Sequence, residues 1–196
     1  SDFSGLKETK ESEAKLQLLK NSPALKKALK QENDRINEQF ALEREISTKL
    51  QAYVDGASPD QSALKIDIVQ AMGRLKDQAT HAKDESKRLV YSRALDDMRV
   101  QGIETGQQEL ESRHFQKAET CFQLMAEVTD GPWSELLLAE THAQTGKKKQ
   151  AISDLQQAVH RGLKDSEAIE SNPRFEALKP DPEFQKLIAG LKSNER

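Results

Sequence analysis

Residues 145–159 read Thr145-Gly146-Lys147-Lys148-Lys149-Gln150-Ala151-Ile152-Ser153-Asp154-Leu155-Gln156-Gln157-Ala158-Val159, and residues 113–125 read Arg113-His114-Phe115-Gln116-Lys117-Ala118-Glu119-Thr120-Cys121-Phe122-Gln123-Leu124-Met125. Set side by side they are two copies of one pattern. Ala118 falls on Ala151, 33 residues on, a period that belongs to helical repeats rather than to one helix. In the second copy Gly146 suits the left-handed C-terminal cap of a helix predicted over Trp133 to Gln144, and a second helix is predicted from Lys148 to His160. Ala151, Leu155 and Ala158 then share one face, and small side chains there let two helix axes approach closely. Leu138, Ala139 and His142 form the facing surface. In the first copy Ala118, Phe122 and Met125 recur at the same spacings, with Phe115 at the turn.

On these residues the chain resembles the tetratricopeptide repeat family. Its pattern is a large residue, a leucine–glycine pair, a tyrosine, a turn glycine, an alanine, an aromatic and a second alanine. Leu138-Ala139 stands for the leucine–glycine pair, His142 for the tyrosine and Gly146 for the turn glycine; Ala151, Leu155 and Ala158 stand for the rest. In the first copy Gly106 holds the small position and Arg113 replaces the turn glycine. The resemblance covers about residues 99–165 and implies stacked helix–turn–helix hairpins that bind protein. Beyond Gly162, Asn172-Pro173-Arg174-Phe175 and Asp181-Pro182-Glu183-Phe184 each pair a cap residue with a proline where its missing N–H costs nothing. They resemble the terminal segment of some bacterial tetratricopeptide-like proteins. Their expected role is to cap the open hydrophobic end with Phe175, Leu178, Phe184, Leu187 and Leu191.

Outward toward the N-terminus, residues 1–20 carry Leu6, Leu16, Leu18 and Leu19 among many charges and predict a weak helix frayed at its start. Ser22-Pro23 opens a long helix to about Val54, with Leu25, Leu29, Ile36, Phe40, Ile46, Leu50 and Tyr53 as its apolar stripe. After a turn at residues 55–60, Leu64, Ile68, Ala71, Met72, Leu75 and Ala79 predict a helix folding back on that stripe, a hairpin with coiled-coil character. The polar run 77–88 reads either as exposed helix or as a kinked junction. The expected fold is therefore all-α. A long-helix hairpin occupies residues 1–90, and a tetratricopeptide-like domain with capping helices occupies residues 91–196.

Composition limits the function. The chain is 35% hydrophobic and 32% charged with a mean hydropathy of -0.80, which suits a thin helical protein. A net charge of -3 and few aromatics argue against nucleic acid, and the basic run Lys147-Lys148-Lys149 reads as a solvated corner. No stretch is apolar enough to span a membrane. His81, His114, His142 and His160 form no metal-ligating pattern, so no metal and no cofactor are expected. His142 reads as a packing residue and Cys121, beside Phe122, as a buried inert thiol. Glu43 with Glu45, and Asp96 with Asp97, read as ordinary charged helix faces. No catalytic residue is assigned, and the chain is not read as an enzyme. The lone Cys121 fits the cytoplasm and an exported location equally. A start at Ser1 fits a processed protein or an excised segment.

The functional expectation is a shallow concave groove lined by the first helix of each hairpin, binding a helix or a partly apolar peptide. Its residues would be Ile103, Gln107, Leu110 and Glu111 from the first copy, and Trp133, Leu136, Glu140 and Gln144 from the second. Trp133 either anchors a partner there or pins the turn after Gly131-Pro132. The lysines and asparagines with which some tetratricopeptide proteins grip a C-terminal carboxylate are missing from these positions. Two rival readings stand beside this one. In the first, the chain is a homo-oligomer, a homodimer for example, assembled through the long N-terminal helices. In the second, it is an accessory part of a larger enzyme.

Overall fold

In the computed structural model the chain is described over residues 7–194, and among these it is all-helical. Leu6 and the rest of the frayed start expected over residues 1–6 lie outside the described residues, as does the side chain of Leu19. The helices are α1 (Lys7–Asn21), α2 (Pro23–Val54), α3 (Gln61–His81), α4 (Glu85–Glu111), α5 (Phe115–Val128), α6 (Trp133–Gln144), α7 (Lys148–His160), α8 (Ser166–Ser171) and α9 (Pro182–Asn194), with a 3₁₀ turn at Pro173–Leu178 before α9. Their starts follow local chemistry. The side chains of Asp60, Asp84 and Asp165 accept backbone N–H bonds in the first turns of α3, α4 and α8, and Asn172 does the same for the 3₁₀ turn. The polar run 77–88 is a junction: α3 ends at His81 and Asp84 caps α4.

The N-terminal helices form more than a hairpin. Ile46, Leu50 and Val54 of α2 meet Ile68, Ala71, Met72 and Leu75 of α3, and α4 closes the core with Ala94, Leu95 and Met98. Cys121, Leu124 and Met125 of α5 belong to the same core. Residues 90 and 91 both lie inside α4, so one continuous helix joins the N-terminal bundle to the hairpins. The expected stripe on α2 holds only in its second half. Phe40 is 58% exposed, and Gln39 is buried in its stead. The reason is angular: Gln39 lies seven residues before Ile46, about 20° off its direction, whereas Phe40 lies six before, about 120° off. Gln39 donates from Nε2 to Glu43 at 2.7 Å and to Asp97 at 2.8 Å, tying α2 to α4. Burial pushes the Glu43 carboxyl up, and the charge of Asp97 adds to it.

Two further hairpins follow, α4 with α5 and α6 with α7, and their turns repeat in backbone detail. Arg113 has φ 60° and Gly146, 33 residues on, φ 75°. The next residues, His114 and Lys147, have φ/ψ of -82°/60° and -80°/58°. The His114 N–H reaches the Glu109 carbonyl at 2.8 Å, and the Lys147 N–H reaches the His142 carbonyl at 2.8 Å. Each is the six-residue bond that closes a helix through a left-handed residue. Small residues set the crossings: a Cβ on Gly106 would sit 2.3 Å from Phe122 Cε1, and one on Gly102 2.1 Å from Met125 Sδ. Ala118, Ala139, Ala151 and Ala158 are fully buried. Phe175, Leu178, Phe184, Ile188 and Leu191 close the end of the stack against α6 and α7.

Candidate functional site

Where the C-terminal half of α4 runs beside the start of α6, the packing leaves an open groove of about 510 Å³. Its α4 wall is Arg99, Val100, Ile103, Glu104 and Gln107; its other wall is the α5–α6 loop, Thr129 to Gly131, with Trp133 and Ser134. Trp133 is 63% exposed and Val100 55% exposed, each large and apolar. Pro132, in a helical conformation, precedes α6 and places Trp133 as its first residue, one turn before the buried Leu137, where the helix end leaves the indole exposed.

A polar frame holds this groove in shape. Thr129 Oγ1 donates to the Met125 carbonyl at 2.7 Å and lies 3.2 Å from Ser134 Oγ. Arg161, just after α7, donates from Nη1 to the carbonyls of Ala126 and Thr129, at 2.7 and 2.9 Å, and from Nε reaches Glu135 Oε1 at 3.0 Å. Burial pushes the Glu135 carboxyl up, opposed by the Arg161 charge. Lys76 of α3 meets Asp130 at 2.6 Å and holds that carboxyl below the usual range. At the α4 end Arg99 pairs with Asp96 at 3.4 Å, and its buried Nε meets no acceptor among the described residues.

The eight expected groove residues separate. Ile103, Gln107 and Trp133 come together in the groove. Leu110 is instead buried among Ala118, Phe122, Leu137 and Leu138, and Leu136 packs half-buried on the C-terminal core. Glu140 lies under the capping segment, where its carboxylate accepts from Asn172 Nδ2 at 2.7 Å and Arg174 Nη1 at 2.5 Å. Glu111 and Gln144 are exposed at the helix ends, outside the groove. The cap thus covers the α6 face that the spacing had assigned to a partner, and the groove shifts toward α4. Arg99, Val100, Glu104, Thr129, Asp130, Gly131 and Ser134 are the lining residues that sequence reasoning missed. Val100 lies 33 residues before Trp133, so the repeat period itself marks it as the equivalent position.

At the other end of α6, by the α6–α7 turn, is a largely buried ionic cluster. His142 presents Nδ1 to Asp154 Oδ2 at 2.5 Å and Nε2 to Glu119 Oε1 at 3.0 Å, while Lys147 reaches Glu119 Oε2 at 2.6 Å. Burial pushes the Glu119 carboxyl up, but the hydrogen bonds and charges of Lys147 and His142 outweigh it and hold it below the usual range. Burial raises Asp154, and the charge of Glu119 adds to it against the hydrogen bond from His142. The cluster joins α5, α6 and α7. Cys121 is fully buried, and desolvation pushes its thiol up to about 12, which leaves it protonated and unreactive. Among the described residues no group of three or more His, Cys, Asp or Glu has the arrangement of a metal site, and no helix is long and apolar enough to cross a membrane. No protein-family model, curated protein or solved structure matches the chain.

Proposed function

We propose that this chain is a tetratricopeptide-like docking module, a binding protein rather than an enzyme, whose groove between α4 and α6 seats an apolar side chain of a protein partner. The observation that carries the reading is the coincidence of Trp133, Val100 and Ile103 in one open groove, two of them more than half exposed. An exposed tryptophan beside aliphatic side chains, rimmed by Arg99, Glu104, Gln107 and Asp130, has the composition of an interface anchor, apolar at the centre and polar at the edge. Rigidity supports the same reading. The loop that carries Trp133 is fixed by Arg161 and Lys76, so a partner meets a preformed site and loses little ordering entropy.

The test is a displayed random-peptide library panned against the full chain, with the Trp133→Ala and Val100→Asp variants as counter-selection. The reading expects peptides that bind the native chain and lose affinity on both variants, while melting temperature is nearly unchanged. A Trp133→Ala variant that melts far lower yet keeps the peptides would sink the groove assignment and make Trp133 a packing residue. The rival homo-oligomer has less to work with: Ile46 and Leu50 of its stripe are buried within the chain, leaving Leu25, Leu29 and Phe40 exposed.

A further inference from the structure

Residues 12–31 form an arm whose described side chains the rest of the chain does not cover. Every described side chain from residue 12 to residue 31 is exposed apart from half-buried Ser22, which caps α2. Between residues 15 and 31 stand Lys15, Lys20, Lys26, Lys27 and Lys30, and no carboxylate side chain. With a net charge of -3 overall, the sequence outside residues 15–31 sets 25 cations against 33 carboxylates, so positive charge is concentrated on this stretch, with Glu8, Glu11 and Glu13 just before it. Lys20, Lys26, Lys27 and Lys30 make no ion pair with any described residue. Leu16, Leu18, Leu25 and Leu29 are exposed among them.

The start of α2 sorts these residues by side. At about 100° per residue, Leu25, Ala28 and Leu29 share one side, and Lys26, Lys27 and Lys30 occupy the other. A helix segment of this length with no tertiary partner is marginal in water, and its exposed leucines have nothing to bury against. Pairing two such arms would bring like charges together. A nucleic-acid backbone would take the lysines and leave the leucines in water. A negatively charged lipid surface uses both, the leucines at the headgroup–acyl boundary and the lysines among the headgroups.

We infer that the arm formed by α1 and the start of α2 binds anionic membrane surfaces. This inference is independent of what occupies the groove. Co-sedimentation of the full chain with phosphatidylcholine vesicles, with and without phosphatidylserine, tests it. The expected result is pelleting with the phosphatidylserine vesicles only, reversed by high salt. The triple variant Lys26→Gln, Lys27→Gln, Lys30→Gln is expected to lower vesicle partitioning by about a hundredfold. The pair Leu25→Ser, Leu29→Ser is expected to weaken it at unchanged charge. Far-UV circular dichroism of both variants confirms that the bundle, which these side chains do not touch, remains folded. Three results would overturn the inference: no pelleting with either vesicle, pelleting that the lysine variant leaves intact, or binding to duplex DNA with none to phosphatidylserine.

Discussion

Replacing Gly106 with alanine tests the packing that brings α4 against α5, and with it the position of the groove wall. The new Cβ would lie 2.3, 2.7 and 2.8 Å from three carbons of the Phe122 ring. Ordinary contacts begin near 3.4 Å, so an opening of about 1 Å is required. The ring has no room to retreat, being fully buried among Leu110, Ala118, Leu137 and Leu138. Overpacking of this kind costs about 1–3 kcal/mol, and a clash with a rigid ring belongs at the upper end. Alanine in a helix interior recovers about 0.8–1 kcal/mol over glycine, for a net loss of about 1–2 kcal/mol. Gly73, in the middle of α3, is the control: a Cβ there meets nothing within 4 Å, so Gly73→Ala should gain about 0.5–1 kcal/mol. The helix term cancels between the variants, and their difference reads the steric cost alone, about 2–3 kcal/mol. In urea unfolding the two midpoints should move in opposite directions at constant slope, and melting temperatures should differ by about 5–10 °C. Adding Phe122→Leu to Gly106→Ala should recover part of the loss beyond additivity. Equal stability of Gly106→Ala and Gly73→Ala would refute the close crossing.

Arg113→Gly should stabilise the chain by about 0.5–1 kcal/mol, since it relieves a left-handed side chain at a cost in unfolded-state entropy; an unchanged or lower urea midpoint would contradict the positive φ. Glu119 is held below its ordinary value, so its contribution is full above the unfolded value of about 4.3 and is lost as pH falls through the folded one. The stability difference between the native chain and Glu119→Gln should therefore be largest at neutral pH and shrink in acid, and a pH-independent difference would remove Glu119 from the ionic cluster. Arg174→Ala should leave the buried Glu140 carboxylate with Asn172 alone and cost about 2–3 kcal/mol, while leaving the groove intact. Loss of groove binding in that variant would show that the cap and groove are coupled.

The all-α class and several helix starts were legible because they were announced locally, whereas the start of α4 was left open and α8 was not read. Ser22-Pro23, Asp60, Asn172-Pro173 and Asp181-Pro182 marked starts, and Gly146 marked a turn. The 33-residue period was legible from Ala118 and Ala151 alone. What sequence could not fix was the partner of each face. Glu140 reads as an exposed charge on an open helix until Arg174, 34 residues later, folds over it. Phe40 reads as core until the direction of Ile46, Leu50 and Val54 is known. The site was legible only in part: Trp133, Ile103 and Gln107 came from the repeat spacing, but the groove depends on how far the cap extends along α6, a long-range property. Val100 was within reach, since the same period that aligns the alanines aligns it with Trp133.

The most direct test of the docking account uses the single tryptophan of the chain, which stands in the groove. Trp133 emission is followed while a tryptophan-free peptide selected by panning is titrated into the full chain. The account predicts a saturable blue shift as the indole leaves water, abolished by Val100→Asp. Saturable binding measured independently, with Trp133 emission unmoved throughout, would place the partner elsewhere and contradict the account.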